Sequence, residues 1–350
     1  MSSPQQTLVA LTAVTTARKA GNRRTLTVSA VLAVAVVLVF AASLSVGDYA
    51  VSPGELISAL AGTGSGRTEY VVLRLRLPRA VTGLLVGIAF GVAGALFQRL
   101  LRNPLASPDI IGVTAGASAA GVTCIVVFAA AGPIVSVGAL AGGIVTGALI
   151  YLLAWRRGVT GYRLMLIGIG IGAVLTSVVS FMMTWVDVTL AQQALIWLTG
   201  NLNGRTWDHV GPLAVFLAVL LPAAVVLSRT LTGLQLGDDS AKSLGVRVER
   251  SRLGLLLVAA ALVSVATAAA GPVAFVAFVA NPIASRLTGG ARPTLIPAAL
   301  VGALVTLCAD FAGQHLLGSA QLPVGVVTGA VGAPYLLWLL ATANRAGRGG

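Results

Sequence analysis

The sequence predicts an all-α integral membrane protein with ten transmembrane helices. Three observations predict it: extreme apolarity, the recurrence of apolar stretches, and the uneven placement of basic residues. Hydrophobic residues fill 57% of the 350 positions and charged residues 9%, against about 45–50% and about 25% in soluble domains. Apolar stretches recur along the whole chain, so nearly every residue belongs to a span or a short connector. The expected organisation is one membrane domain over 25–341, between cytoplasmic tails of 1–24 and 342–350.

The first apolar stretch, Thr25 to Val46, follows Arg18, Lys19, Arg23 and Arg24 and has the outline of a signal peptide. Its uncharged run is too long for one and suits the roughly 30 Å hydrocarbon core, so it reads as an uncleaved first span with a cytoplasmic N-terminus. Further spans are expected near 80–101, 110–131, 133–154, 163–186, 210–228, 253–270, 272–286, 294–313 and 323–341. From a cytoplasmic start, the inside segments then hold Arg18, Lys19, Arg23, Arg24, Arg99, Arg102, Arg156, Arg157, Arg163, Arg229, Lys242, Arg247, Arg250, Arg252, Arg286, Arg292, Arg345 and Arg348. Arg67, Arg74, Arg76, Arg79 and Arg205 fall outside. This asymmetry satisfies the positive-inside rule with both termini cytoplasmic. It also accounts for the net charge of +13 without nucleic acid, because the cations are scattered over many segments rather than gathered into one stripe beside stacking aromatics.

Glycine occurs 42 times. In the second span Gly83, Gly87 and Gly91 recur every fourth residue with Gly94 close behind, which makes a smooth face for close helix approach. Gly168, Gly170 and Gly172 in the fifth span do not share a face; packing, local flexibility and a wide cavity are all compatible with them.

Several chemistries are disfavoured. Ser118 among small residues, with a distant His315, is a poor outline of a hydrolytic site. The string from Gly237 to Lys242-Ser243 lacks the second glycine of a phosphate loop and carries two aspartates where phosphate would bind. Any ATP hydrolysis therefore belongs to another subunit, and no catalytic residue is assigned. Cys124 and Cys308 lie in apolar stretches without metal-ligand spacing, so neither a metal site nor a cofactor is expected. Asp310 is the convincing ionisable group within a span, which keeps an ion-coupled secondary transporter as the alternative of a different class.

Three connectors stand out. Arg102 to Asp109 contains two prolines that stiffen it and end the helices on either side. Arg76-Leu77-Pro78-Arg79 sets two guanidiniums just outside the second span, where an acidic partner or lipid phosphate would explain them. The longest cytoplasmic connector, 230–252, predicts a helix of roughly two turns that gains stability mainly by docking. Asp238 or Asp239 would cap it, Ala241 and Leu244 would supply its apolar side, and Gly245 would end it in a left-handed conformation.

These pieces in this order resemble the permeases of the iron-siderophore, haem and cobalamin family of bacterial ABC importers. The resemblance runs through Arg76 to Arg79, the Gly-rich second span ending Gln98-Arg99, Asn103 to Ala106, Gly112 to Ala117, Trp197 to Gly200, Gly237 to Val246, Gly271 to Phe275, Ala309-Asp310, Leu322 to Gly325 and Gly332 to Pro334. The wording from Ser107 to Gly112 looks most like permeases for catecholate siderophores of the ferric-enterobactin type.

The resemblance implies a ten-span, type II importer subunit in the bacterial plasma membrane. It would pair with a second permease, identical or related, and be driven by two cytoplasmic ATP-binding subunits. An extracytoplasmic binding protein would deliver a ferric siderophore, with cobalamin or haem as alternative cargoes. It further implies binding-protein docking at Arg76 and Arg79, ATPase coupling through Gly237, Asp238, Ala241, Leu244 and Gly245, and cytoplasmic gating by Asn103, Leu105, Gly161 and Tyr162. The fifth and tenth spans would line the path. The chain departs from the family pattern at Gln314, where some relatives carry a docking arginine, at Gln321, where glutamate is common, and at Ile283, where histidine is frequent. A partner permease carrying the missing charge would account for the departures that bear on docking.

Overall fold

A computed structural model describes residues 4–156, 159–289, 295–316 and 321–346. Arg157, Arg292 and Arg348 of the expected inside set lie outside the described residues. The first helix, α1, spans Pro4–Ser45. It runs unbroken through the expected tail and the first span, since no proline follows Pro4 to interrupt it. Helix α2 (Pro53–Leu60) starts at a capping box: Ser52 Oγ accepts from the Glu55 amide, and the Glu55 carboxylate accepts from the Ser52 amide at 2.9 Å. Helix α3 (Gly66–Glu69) leads through a π-helical segment, Tyr70–Arg76, into α4 (Leu77–Leu100). There follow α5 (Val113–Val126), α6 (Pro133–Ala154), α7 (Gly161–Trp185), α8 (Val188–Leu198) and α9 (Trp207–Gln235). The remainder comprises α10 (Asp238–Ser243), α11 (Val248–Ala270), α12 (Val276–Thr288), α13 (Leu295–His315) and α14 (Val324–Ala346).

Among the described residues seven stretches are long and apolar enough to cross a membrane: Lys19–Ser45, Gly66–Leu100, α6, α7, α9, α11 and α13. Shorter apolar helices are α5, α8 and Val324–Leu339. Each of the ten stretches expected as spans falls on a helix, but two of those helices are short. With 14 and 13 residues, α5 and α12 reach only about 20 Å at about 1.5 Å per residue. Their starts are delayed by left-handed residues, Gly112 at φ 85° and Phe275 at φ 65°, which end the incoming connectors inside the bundle. Helix α8 occupies chain that the sequence reads as an outer connector.

The bundle is built around α4 and α11, the most buried of the long helices. Helix α4 runs antiparallel to α13, and the expected glycine face is what meets it. A Cβ at Gly91 would collide with the Ala298 carbonyl, and one at Gly87 would lie 2.5 Å from the Gly302 oxygen. Gly94 faces the Ala277 carbonyl of α12 in the same way. Where apolar burial scarcely drives association, such backbone approach supplies the dispersion contact that holds helices together. In α7, Gly168 and Gly172 pack on Ile111 and Gly112, whereas a Cβ on Gly170 would meet nothing within 4 Å; two of the three glycines are packing residues.

Contacts place Arg24, Arg252 and Arg102 of the expected inside set at one end of the bundle. Arg24 Nε donates to the Leu287 carbonyl at 2.9 Å, Arg252 to Val159 at 2.8 Å, and Arg102 to Leu234. Arg76 and Arg79 lie at the other end, beside the close of α1 and the outgoing part of α13.

Replacing Gly91 with Leu should force α4 away from α13 and cost about 1–3 kcal/mol or more, read as a lower unfolding temperature of the purified, detergent-solubilised protein. Gly170→Leu, with open space around it, should leave that temperature nearly unchanged.

Candidate functional site

At the end carrying Arg76 and Arg79, both guanidiniums have internal acceptors. Arg76 Nη1 donates to the Leu44 and Ser45 carbonyls at 2.8 and 3.2 Å, and its Nη2 donates to the Tyr49 carbonyl at 2.6 Å. It thereby serves carbonyls that the end of α1 leaves without helical donors. Arg79 forms a two-pronged pair with Asp310: Nη2 to Oδ1 at 2.8 Å and Nε to Oδ2 at 3.0 Å. The two side chains are 14% and 5% exposed. Gln314 adds a third donor, Nε2 to Asp310 Oδ2 at 2.9 Å, so the glutamine at this departure position completes the carboxylate's partners. The exposed cations at this end are others. Arg74 borders a recess with Glu69, Tyr70, Leu73 and Trp207, and Arg67 stacks over Tyr49 with 5.0 Å to the ring centre.

At the opposite end the two connectors singled out as gates meet. Leu101 lies against Gly161, whose missing side chain permits the approach. Asn103 Oδ1 accepts from the Leu105 amide at 2.9 Å, an Asx turn, while its Nδ2 contacts Met165 Sδ of α7 at 3.5 Å. Leu105 packs into an apolar cluster with Phe278 and Val279 of α12 and Leu339 of α14. Tyr162 projects outward, 80% exposed. The two connectors thus meet through Leu101 on Gly161 and Asn103 on Met165, whereas Leu105 packs away on α12 and α14 and Tyr162 is exposed beside Gly161.

The same connector then dips inward, burying Ala106, Ser107 and Ile111. There Asp109 accepts from Thr114 Oγ1 at 2.7 Å. Nearby, Gln98 Nε2 donates to the Phe278 carbonyl at 2.9 Å and receives from Asn281 Nδ2 at 2.8 Å. The Phe278 oxygen needs that donor because Pro282, four residues on, has no N–H to offer. Sequence reasoning missed Asp109, Gln98 and Asn281 as partners; the proline inside the eighth apolar stretch was the available signal.

Helix α10 forms where expected, with one difference in detail and one correction. Its N-cap is Gly237 at φ 104°, and Gly245 beyond it has φ 79°, both left-handed-side conformations that suit glycine. Neither aspartate caps it; Asp238 is its first residue and pairs with Arg252 at 2.7 Å. Ala241 and Leu244 do not form one buried side. Ala241 is buried against the bundle, whereas Leu244 is 65% exposed and Leu236, just ahead of the helix, is 63% exposed. The bundle covers Ala241 and stops short of Leu244, which leaves two leucines flanking α10 uncovered.

Comparison with known proteins returns one family along nearly the whole length. The model of the FecCD transport family matches residues 14–342. The ferric enterobactin transport system permease protein FepG of Escherichia coli (strain K12) is 42% identical over 324 residues, 93% of this chain and 98% of that protein. The iron(3+)-hydroxamate import system permease protein FhuG of Bacillus subtilis (strain 168) is 37% identical over 335 residues, covering 93% of this chain and 100% of that one. Among solved structures, a metal-chelate type ABC transporter in an inward-facing conformation superimposes with a TM-score of 0.80 at 26% identity, over 90% of this chain and 99% of that one.

Replacing Asp310 with Asn should leave the Arg79 guanidinium short of a counter-charge in a buried site and cost about 3–5 kcal/mol. Pairing Asp310→Leu with Arg79→Met should recover much of that loss, because two apolar groups leave no uncompensated charge. Unfolding in detergent of the unaltered protein, Asp310→Leu, Arg79→Met and the double variant gives the coupling directly, and Asp310→Asn gives the cost of the lost counter-charge.

Proposed function

The chain belongs to the FecCD transport family, and from that premise we propose that it is the membrane-spanning permease of an ATP-driven, binding-protein-dependent importer of ferric siderophores. Its chemistry is transport, without covalent change to the cargo and without a catalytic residue of its own. One observation carries the mechanism: the two gate connectors and α10, with its exposed leucines, lie at the same end of the bundle. Such an arrangement lets a subunit docked on α10 act on the gate. The relatives' iron-chelate cargoes support the substrate class, and the likeness to FepG supports a catecholate of the enterobactin type.

In this reading 25–341 forms ten transmembrane helices in a type II arrangement, with α5 and α12 as the short members and both termini in the cytoplasm. A second permease, related or identical, completes the path, and α7 and α14, with their largely exposed apolar faces, line it. Two ATP-binding subunits seat on the segment Gly237, Asp238, Ala241, Leu244 and Gly245. ATP binding and hydrolysis there shift the inward-open and outward-open populations. Asn103, Leu105, Gly161 and Tyr162 then open or close the cytoplasmic mouth.

Docking of the binding protein belongs at the other end. For Arg76 and Arg79 to serve it, arriving carboxylates must replace acceptors that those guanidiniums already hold, whereas Arg74 offers an unburied charge one turn away. The ion-coupled alternative needs a carboxylate free to exchange protons or ions, and Asp310 is held by Arg79 and Gln314.

If α10 seats the ATPase, Leu244→Asp should set a charge in an apolar contact and lower the amount of ATPase that co-purifies with the permease. Undiminished co-purification with normal uptake of ferric enterobactin would remove α10 from that role. On the other side, Arg74→Glu should weaken binding-protein docking at low ionic strength, with the difference shrinking as salt is raised. Titration of the reconstituted complex with the binding protein at two salt concentrations measures it.

A further inference from the structure

One side chain spans the distance between α10 and the gate connectors. Arg252, in the second turn of α11, is 17% exposed. Its Nη2 donates to Asp238 Oδ1, on the first residue of α10, at 2.7 Å. Its Nη1 donates to the Val159 carbonyl at 2.8 Å, two residues ahead of Gly161. Val159 is itself buried, and Gly161 in turn lies against Leu101 of the facing connector. A guanidinium suits such a junction because its planar fork holds two acceptors in a fixed relative geometry, which a lysine cannot.

The surroundings supply material for a second arrangement. Glu249, one turn back on α11, stands 3.8 Å from Arg252 Nη1. Its other carboxylate oxygen and the Tyr151 hydroxyl are both buried without a hydrogen-bond partner. An acceptor for a shifted Arg252 and a donor for a shifted Glu249 are therefore at hand, so breaking either present bond does not strand the guanidinium.

We propose that Arg252 is a positioning residue that makes α10 and the connector ahead of α7 move as one body. A displacement of α10 is thereby delivered to Gly161 and Tyr162 and across to Leu101 and Asn103. The inference rests on the reading of α10 as the ATPase seat and goes beyond it by naming the physical link.

The test uses the complete complex of permeases and ATP-binding subunits in nanodiscs, with Cys124 and Cys308 replaced by serine and Tyr162→Cys as reporter. Its labelling rate by a soluble maleimide is measured with and without ATP and vanadate, alongside ATP hydrolysis. In the otherwise unaltered background, nucleotide trapping should change the rate roughly fivefold or more, the lower range of ordinary coupling between sites; no change there overturns the underlying ATPase reading itself. With that response in hand, Arg252→Met should keep ATP hydrolysis while the labelling response falls below about twofold. A full response in Arg252→Met overturns the proposal, as does a loss of hydrolysis in step with the response, which marks a purely structural role. Should Arg252→Met fail to assemble, Arg252→Lys decides. It keeps the positive charge but cannot hold the Asp238 and Val159 acceptors in one fixed geometry, and a response that survives at full size in that variant overturns the link, whereas one that falls with hydrolysis retained supports it.

Discussion

The structure depends on one recurring interaction, an arginine guanidinium donating to carbonyls that a helix end cannot satisfy. In a bilayer every backbone group must find its partner inside the protein, and the last carbonyls of each helix have none within it. Arg76 serves Leu44 and Ser45 at the end of α1, Arg24 serves Leu287 in the last turn of α12, Arg163 serves Ala154 at the end of α6, and Arg102 serves Leu234 in the last turn of α9. Each cation also sits at the negative end of a helix dipole. Because donor and acceptor belong to different elements in most of these pairs, the same bonds that satisfy helix ends also fix neighbouring elements to one another.

That use of arginine explains which parts of the molecule were legible in the sequence. Apolar recurrence locates helices well, since any stretch of that composition must form one in lipid, and every expected span lies on a helix. The glycine face of α4 was legible for the same reason: its spacing is local, and close backbone approach is the one use that spacing has. The continuous helix from Pro4 was missed because its apolar run, Leu8 to Val14, is too short for a span and is followed by the charges from Arg18 to Arg24. Helix α8 was missed because eleven residues are too few to register as a span.

The arginines were legible by position and not by partner. Arg79 and Asp310 are 231 residues apart, and nothing local in either segment points to the other. Reading Arg76-Leu77-Pro78-Arg79 alone, an external acid is the natural explanation for two cations outside a span; the fold supplies internal acceptors for both. Ala241 and Leu244 show a smaller form of the same limit. Three residues apart, they look like one buried apolar side, but the bundle covers only Ala241 and Leu244, beyond the last helical residue, stays exposed.

The interior of the end where the two connectors meet follows from a proline. Pro282 in α12 removes the donor owed to Phe278, and Gln98 replaces it while holding Asn281. Helix α12 is thereby tied by Gln98 at the end of α4, and Leu105 of the connector beyond packs on it as well. A connector so bound cannot shift independently of α12. If these connectors gate the path, as proposed, gating is a movement of packed elements between discrete arrangements rather than the flapping of a loop, with Tyr162 exposed at the rim.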